Sequence, residues 1–179
     1  MMACLSFLLT TALINCGFQS TFQVEANIER LRHAEDRLLQ DPKDKKALSL
    51  ILTLLKDRNG INRSNAAAVL GEVGEKVGAG IKDEAVPSLI NLLETGDKFD
   101  RYAASGALRG FGTHAKAAVP ALLKALKDGN TGTARHSAEA LGRIGPEAKV
   151  AIPALIDALN VYDITQTRAG ARGHAAACV

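Results

Sequence analysis

With 179 residues, 47% of them hydrophobic, the chain is long enough to bury a core as one domain, and 4% aromatics with no Trp leave Leu, Ile, Val and Ala to fill it. Net charge is +3 and the pI about 8.8, with 22 basic residues interleaved among 19 acidic ones, which does not point to nucleic acid as the partner. Cys4, Cys16 and Cys178 have neither zinc spacing nor a disulfide framework.

Residues 1–24 carry no charge, and Leu5 to Ile14 form an apolar stretch shorter than the roughly 20 residues a bilayer span needs. The stretch looks like a secretory h-region, with Val24-Glu25-Ala26 offering small residues for cleavage after Ala26. Leu13-Ile14-Asn15-Cys16 resembles a lipoprotein box with Cys16 as the lipidated residue, although Asn15 departs from the small residue usual there. No Lys or Arg precedes Leu5, as an n-region requires, and an apolar helix capping the fold is the alternative. Residues 1–26 are therefore expected to be a signal peptide or apolar leader, and the protein to be exported, whether periplasmic, secreted or membrane-tethered; a cytoplasmic location is the alternative.

Glu25 to Gln40 reads as a helix with Ile28, Leu31 and Leu38 on one side. In Asp41-Pro42-Lys43-Asp44, Asp41 is expected as N-cap, Pro42 at the first helical position and Asp44 in the first turn of a helix running to Asp57. Arg58-Asn59-Gly60 predicts a turn before a helix over Asn62 to Val73.

From here the chain repeats itself. Leu48, Ile51, Leu52 and Leu55 recur as Val86, Leu89, Ile90 and Leu93, then Val119, Leu122, Leu123 and Leu126, then Ile152, Leu155, Ile156 and Leu159, a nearly constant interval whose first step is the longest. A second helix-spaced set, Ala66, Val69, Leu70 and Val73, recurs at the same first two steps as Ala104, Ala107, Leu108 and Phe111, then Ser137, Ala140, Leu141 and Ile144. Two amphipathic helices per unit cannot each bury a stripe alone, so neighbouring units must stack and share a continuous core. The predicted fold is all-α, an α-solenoid of antiparallel helix pairs. Gly74, Gly112 and Gly145 end the second helices in this reading, each as a left-handed C′ residue, and Pro87, Pro120 and Pro153 open the next first helices. The insertion that lengthens the first step lies between Gly74 and Pro87 and is expected to bulge as a flexible loop containing Gly78-Ala79-Gly80.

Ala118-Val119-Pro120-Ala121-Leu122-Leu123 and Ser137-Ala138-Glu139-Ala140-Leu141-Gly142-Arg143-Ile144-Gly145-Pro146-Glu147-Ala148 resemble the HEAT-like repeats, specifically the short Ala-rich class also seen in phycobilisome lyases. The resemblance covers about residues 42–160 and implies an armadillo-type, right-handed superhelix over 27–164 whose second helices line the concave side. It says little about function, because such repeats occur in scaffolds, adaptors and a few enzymes. A tetratricopeptide array has a similar period, but its Trp, Tyr and Pro spacing is absent. In the last unit Gly170, Gly173, His174 and Ala177 stand where bulky apolar residues are expected, so 165–179 should fray.

No catalytic constellation is present. His33, His114, His136 and His174 do not precede Glu, so the His-Glu pairs of the HEAT-like iron enzyme deoxyhypusine hydroxylase have no counterpart, and neither metal nor cofactor is expected. His136 reads as a surface or partly packed residue, and Gly78-Ala79-Gly80 lacks the Lys-Ser or Lys-Thr of a phosphate loop. The binding candidates lie on the second helices: Arg101, Ser105 and Arg109 four residues apart, Arg135, Glu139 and Arg143 likewise, and Tyr102, which aligns with Arg135. Arg109 replaces the Gly found at 71 and 142. The second row also reads as simple i, i+4 ion-pair residues. The expectation is a non-enzymatic scaffold holding a protein or peptide with acidic groups on this surface. The alternatives are an accessory lyase-type enzyme acting on a cofactor-bearing protein and, more weakly, nucleic-acid binding.

Overall fold

The computed structural model of the protein describes residues 23–127 and 130–161. The expectations for the apolar leader up to residue 22, for Cys16 and for the tail at 165–179 fall outside that range. Among the described residues there is no strand, and no helix is long and apolar enough to cross a membrane. Residues 23–40 are helical (α1) and run without a break through Ala26. Then come α2 (Lys45–Leu54), α3 (Gly60–Thr95), α4 (Lys98–Phe111), α5 (Val119–Ala125), α6 (Thr131–Ile144) and α7 (Ile152–Val161), with 3₁₀ segments at Gly112–Ala118 and Gly145–Ala151.

The repeated stripes form the core. Leu70, Leu108 and Leu141 are fully buried at equivalent places on successive second helices, as are Ile51, Leu89, Leu122 and Leu155 on the first helices. Each such leucine or isoleucine contributes about 1.5–3 kcal/mol by leaving water, and no unit could bury them alone. α3 packs on α4, and α4 on α6, so consecutive second helices share their flanks. The molecule is an α-solenoid.

α2 starts at Asp44 rather than Asp41. The Asp44 carboxylate accepts from the backbone N–H groups of Lys46 and Ala47 at 3.0 and 3.1 Å and pairs with Arg37 of α1, whereas Asp41 only closes a turn by accepting from the Lys43 N–H. Two satisfied N–H groups outweigh the one that Asp41 could reach.

The larger departure is at the insertion before Pro87, which is helix and not loop. α3 spans 36 residues and joins the second helix of one unit to the first helix of the next across a kink at Val77, with Pro87 inside it. Gly74 keeps a helical backbone; positive φ occurs only at Gly112 (51°) and Gly145 (75°) among the described glycines. Their ψ of −127° and −139° places them in the mirror-β region open to glycine, not the left-handed helical one. Gly74 is required for a different reason, since a Cβ there would lie 2.6 Å from the Phe111 ring. Gly78 likewise admits Phe111 and His114, and Gly80 sits on Pro42, so Gly74, Gly78, Ile81 and Ala85 make one buried or close-packed helical stripe whose contacts hold the insertion as helix. The kink itself repeats: Val77 (φ −133°, ψ 22°), Ala115 (φ −91°, ψ 18°) and Ala148 (φ −98°, ψ 18°) each lie at the third position past the equivalent glycine.

Candidate functional site

Three second helices build the face that carries the sequence candidates: the first half of α3, then α4, then α6. Their starts are fixed by a repeated cap. Asn59, Asp97 and Asn130 stand at equivalent places in successive units, and each adopts extended backbone and accepts from N–H groups of the first turn at 2.8–3.2 Å. In α4, Asp100 completes a capping box by accepting from the Asp97 N–H at 3.2 Å.

Asp100 is 2% exposed and would be an isolated buried charge but for Arg63 of α3, whose Nε and Nη2 reach its two carboxylate oxygens at 2.9 and 2.8 Å. Through Nη1 the same guanidinium donates to the carbonyls of Asp57 and Arg58, which ties down the loop before its own helix. Hydrogen bonding to Asp100 pushes the Arg63 pKa above its ordinary value. Arg101 is the equivalent residue one unit on and repeats the loop tie, with Nη1 donating to the Gly96 carbonyl at 3.0 Å.

Between the three helices runs a cleft of about 530 Å³. Its floor is made of small residues, Ala68 and Gly71 of α3 with Ala103, Gly106, Ala107 and Gly110 of α4. The reason is helix crossing: a Cβ on Gly110 would lie 2.1 Å from the Gly71 carbonyl oxygen, so α3 and α4 touch backbone to backbone here. At the end nearest the helix starts stand Ser64, Phe99, Tyr102 and His136; at the other stand Glu72, Glu75, Arg109 and Arg143.

The charged end is internally matched. Arg109 Nη1 meets Glu139 Oε2 at 2.7 Å, Arg143 Nη2 meets Glu75 Oε1 at 3.2 Å, and Arg135 lies 3.8 Å from Glu139. Burial works to raise the Glu139 carboxyl, but the hydrogen bond and charge of Arg109, helped by Arg135 and His136, outweigh it and hold the pKa below the usual carboxylate value. Glu35 of α1 shifts the other way, upward, through burial and the neighbouring Glu72 carboxylate.

At the aromatic end the Tyr102 and His136 rings lie 4.5 Å apart, tilted by 35°. His136 is 7% exposed, more deeply packed than its sequence position suggests, because Gly106 leaves room for the imidazole, 3.1 Å from where a Cβ would stand. Its Nδ1 lies 3.4 Å from the Tyr102 carbonyl, and burial lowers its pKa, with Arg109 and Arg135 adding to the effect.

The structure therefore brings Tyr102, Arg109 and Arg143 into one cleft, with Arg135 and Glu139 on its wall. It separates the other two candidates. Ser105 is fully buried and donates to the Tyr102 carbonyl at 2.9 Å, and Arg101 lies on a different depression with Leu93, Glu94 and Lys124. Eight residues turn a helix through two full turns and about 80° more, so Arg101 and Arg109 leave α4 on different sides. Sequence reasoning missed Phe99 and His136 as cleft residues. The available signal was that Ile61 and Phe99, equivalent in successive units and each at the second position past its cap, fall outside the buried stripe. Among the described residues no group of three or more His, Cys, Asp or Glu could hold a metal ion.

Stacked, flank-sharing helix pairs with a cleft across three second helices define a helical-repeat solenoid. The family of HEAT repeats matches residues 86–172, from the second half of α3 onward, and that stretch carries HEAT-like repeats. Its fold is similar to that of an engineered protein (TM-score 0.66, 21% identity, 89% of this chain and 72% of that one). It is also similar to an archaeal HEAT-like repeats protein from Thermococcus onnurineus NA1 (TM-score 0.57, 20% identity, 84% of this chain and 62% of that one). A third similarity is to the complex of CpcE and CpcF of phycocyanin lyase from Nostoc sp. PCC7120 (TM-score 0.66, 24% identity, 88% of this chain and 59% of that one). The chain thus spans less than two thirds of the length of the last two, and at these identities the likeness is one of fold. No curated protein sequence matches it significantly.

Proposed function

We propose that the protein is a non-catalytic scaffold that holds a protein or peptide segment in the cleft walled by α3, α4 and α6. The observation that carries this reading is a groove already shaped before any partner arrives. Its floor is backbone in contact with backbone at Gly71 and Gly110, and its far wall is tied by Arg109–Glu139 and Arg143–Glu75. A preformed groove spares a partner the cost of ordering it. Recognition through bare arginines, the expectation from the sequence, is weakened, because Arg109 and Arg143 already have carboxylate partners. The likeness to the phycocyanin lyase complex is one of fold and does not carry a lyase reading; incubation with a bilin and an acceptor protein is expected to give no coloured adduct.

The test is affinity capture with three forms of the full chain: wild type, Ala103→Arg, which fills the groove, and Val150→Arg, at an exposed residue of the second 3₁₀ segment away from it. A partner held by wild type and Val150→Arg but depleted at least tenfold by Ala103→Arg is expected. Equal capture by all three would show that the cleft is not the binding surface.

A further inference from the structure

The inference rests on the proposed scaffold reading and concerns what the aromatic end of the cleft selects. Among the described residues there are three Phe and Tyr side chains, Phe99, Tyr102 and Phe111. Phe111 is buried, but Phe99 is 66% exposed and Tyr102 43% exposed, and both line the same cleft. A core built from aliphatic side chains gains nothing from leaving its two other aromatics in water side by side. The chain also makes room for the rings. A Cβ on Gly132 would stand 2.9 Å from the Tyr102 ring, and Gly106 makes the space for His136 beneath it. Ser105 and His136 both reach the Tyr102 carbonyl, at 2.9 and 3.4 Å, which fixes the backbone that carries the ring.

Charge around this shelf is unbalanced. The nearby carboxylates are engaged, Asp97 on its cap and Asp100 on Arg63. The cations are less so: Lys98 lies 4.9 Å over the Phe99 ring with no carboxylate partner among the described residues, and Arg135, 52% exposed, pairs at 3.8 Å with a Glu139 carboxylate that Arg109 already holds at 2.7 Å. We propose that the Phe99–Tyr102–His136 shelf, flanked by Lys98 and Arg135, docks a partner protein's peptide segment in which an aromatic or large apolar side chain is closely followed or preceded by a carboxylate. The ring stacks on the shelf and the acid sits between the two cations. Aromatics beside cations also suit a single-stranded nucleic acid, but the far end of the cleft offers Glu72 and the Arg143–Glu75 and Arg109–Glu139 pairs in place of the free cations that would track a phosphate backbone.

The test selects a phage-displayed random peptide library on the immobilised full chain and measures a fluorescein-labelled synthetic consensus peptide by anisotropy. Fluorescein-labelled dT20 serves as the nucleic-acid probe, and circular dichroism verifies that each variant is folded. The expected consensus has an aromatic or large apolar residue within four positions of Asp or Glu. Its affinity should fall at least tenfold with Phe99→Ala or Tyr102→Ala and about threefold with Lys98→Ala or Arg135→Ala. Peptides that lack the pairing, or that ignore Phe99→Ala and Tyr102→Ala but are lost with Ala103→Arg, overturn this inference and leave the scaffold reading standing. Failure to enrich any peptide, or indifference to Ala103→Arg as well, overturns both. Tighter binding of dT20 than of the peptide at physiological salt, lost with Phe99→Ala, assigns the shelf to nucleic acid and likewise overturns the inference.

Discussion

Arg143 of α6 and Glu75 of α3 meet at 3.2 Å although 68 residues separate them and α4 lies between their helices. Two side chains can close a gap of two helix spacings, each about 8–10 Å, only by reaching across the helix between them. This pair therefore bridges the cleft above α4.

Both partners are about half exposed, so the pair is worth only about 0.2–1 kcal/mol and should weaken with salt. Arg143→Ala is expected to leave the melting temperature nearly unchanged while increasing the radius of gyration measured by small-angle X-ray scattering at low salt. At high salt, about 1 M NaCl, wild type and variant should converge, and identical scattering at both salt concentrations would show that the pair does not restrain the stack.

Asp100 and Arg63 are the opposite case, a buried joint between consecutive units. Arg63→Ala leaves the Asp100 carboxylate buried without its cation and should cost about 3 kcal/mol in urea denaturation. Arg63→Ala/Asp100→Ala should cost less than the sum of the single changes by at least about 1 kcal/mol, since each single variant strands the other group. Additive losses would show that the two residues act independently.

Ser137 occupies the place held by Ala66 and Ala104 in earlier units, fully buried, and its Oγ has no hydrogen-bond partner among the described residues. Ser137→Ala removes that stranded hydroxyl without opening a cavity larger than one atom. A gain of about 1 kcal/mol by chemical denaturation is expected.

His136 makes stability depend on pH. Its folded pKa lies below the ordinary value, chiefly through burial, against the opposing pull of the Tyr102 carbonyl and Glu139 and with Arg109 and Arg135 adding to the depression. Below about pH 6.5 the unfolded chain takes up a proton that the folded chain refuses, so stability present above that pH is lost as pH falls toward the folded pKa. Calorimetric melting from pH 7.5 to 5 should show this decline in wild type and a shallower one in His136→Gln. Parallel curves would mean that the imidazole titrates alike in both states.

The stacking of helix pairs was legible in the sequence because Leu70, Leu108 and Leu141 and their neighbours repeat at nearly constant offsets with helical spacing. The helical insertion was not, because Gly74, Gly78 and Gly80 read as chain breakers when their use is close contact with Phe111, His114 and Pro42. A glycine's letter does not say whether its missing Cβ serves a turn or a neighbour. The cleft was half legible. Tyr102, Arg109 and Arg143 fall where the spacing puts them, but Arg101 and Ser105 belong to a row that drifts around the helix. Which cations are already neutralised depends on partners far along the chain, as for Arg109 with Glu139 and Arg143 with Glu75, and no local pattern displays that.

The uninterrupted rod from Gly60 to Thr95 also distributes compliance unevenly along the molecule. Its first two modules share one backbone ladder interrupted only at Val77, while the later ones are joined by short 3₁₀ links with glycine at their heads. Between modules, flexing is therefore expected at the Gly112 and Gly145 links more than within the long rod, so that the molecule should breathe like a wrist on a fixed forearm, with the third and fourth modules swinging against the front half.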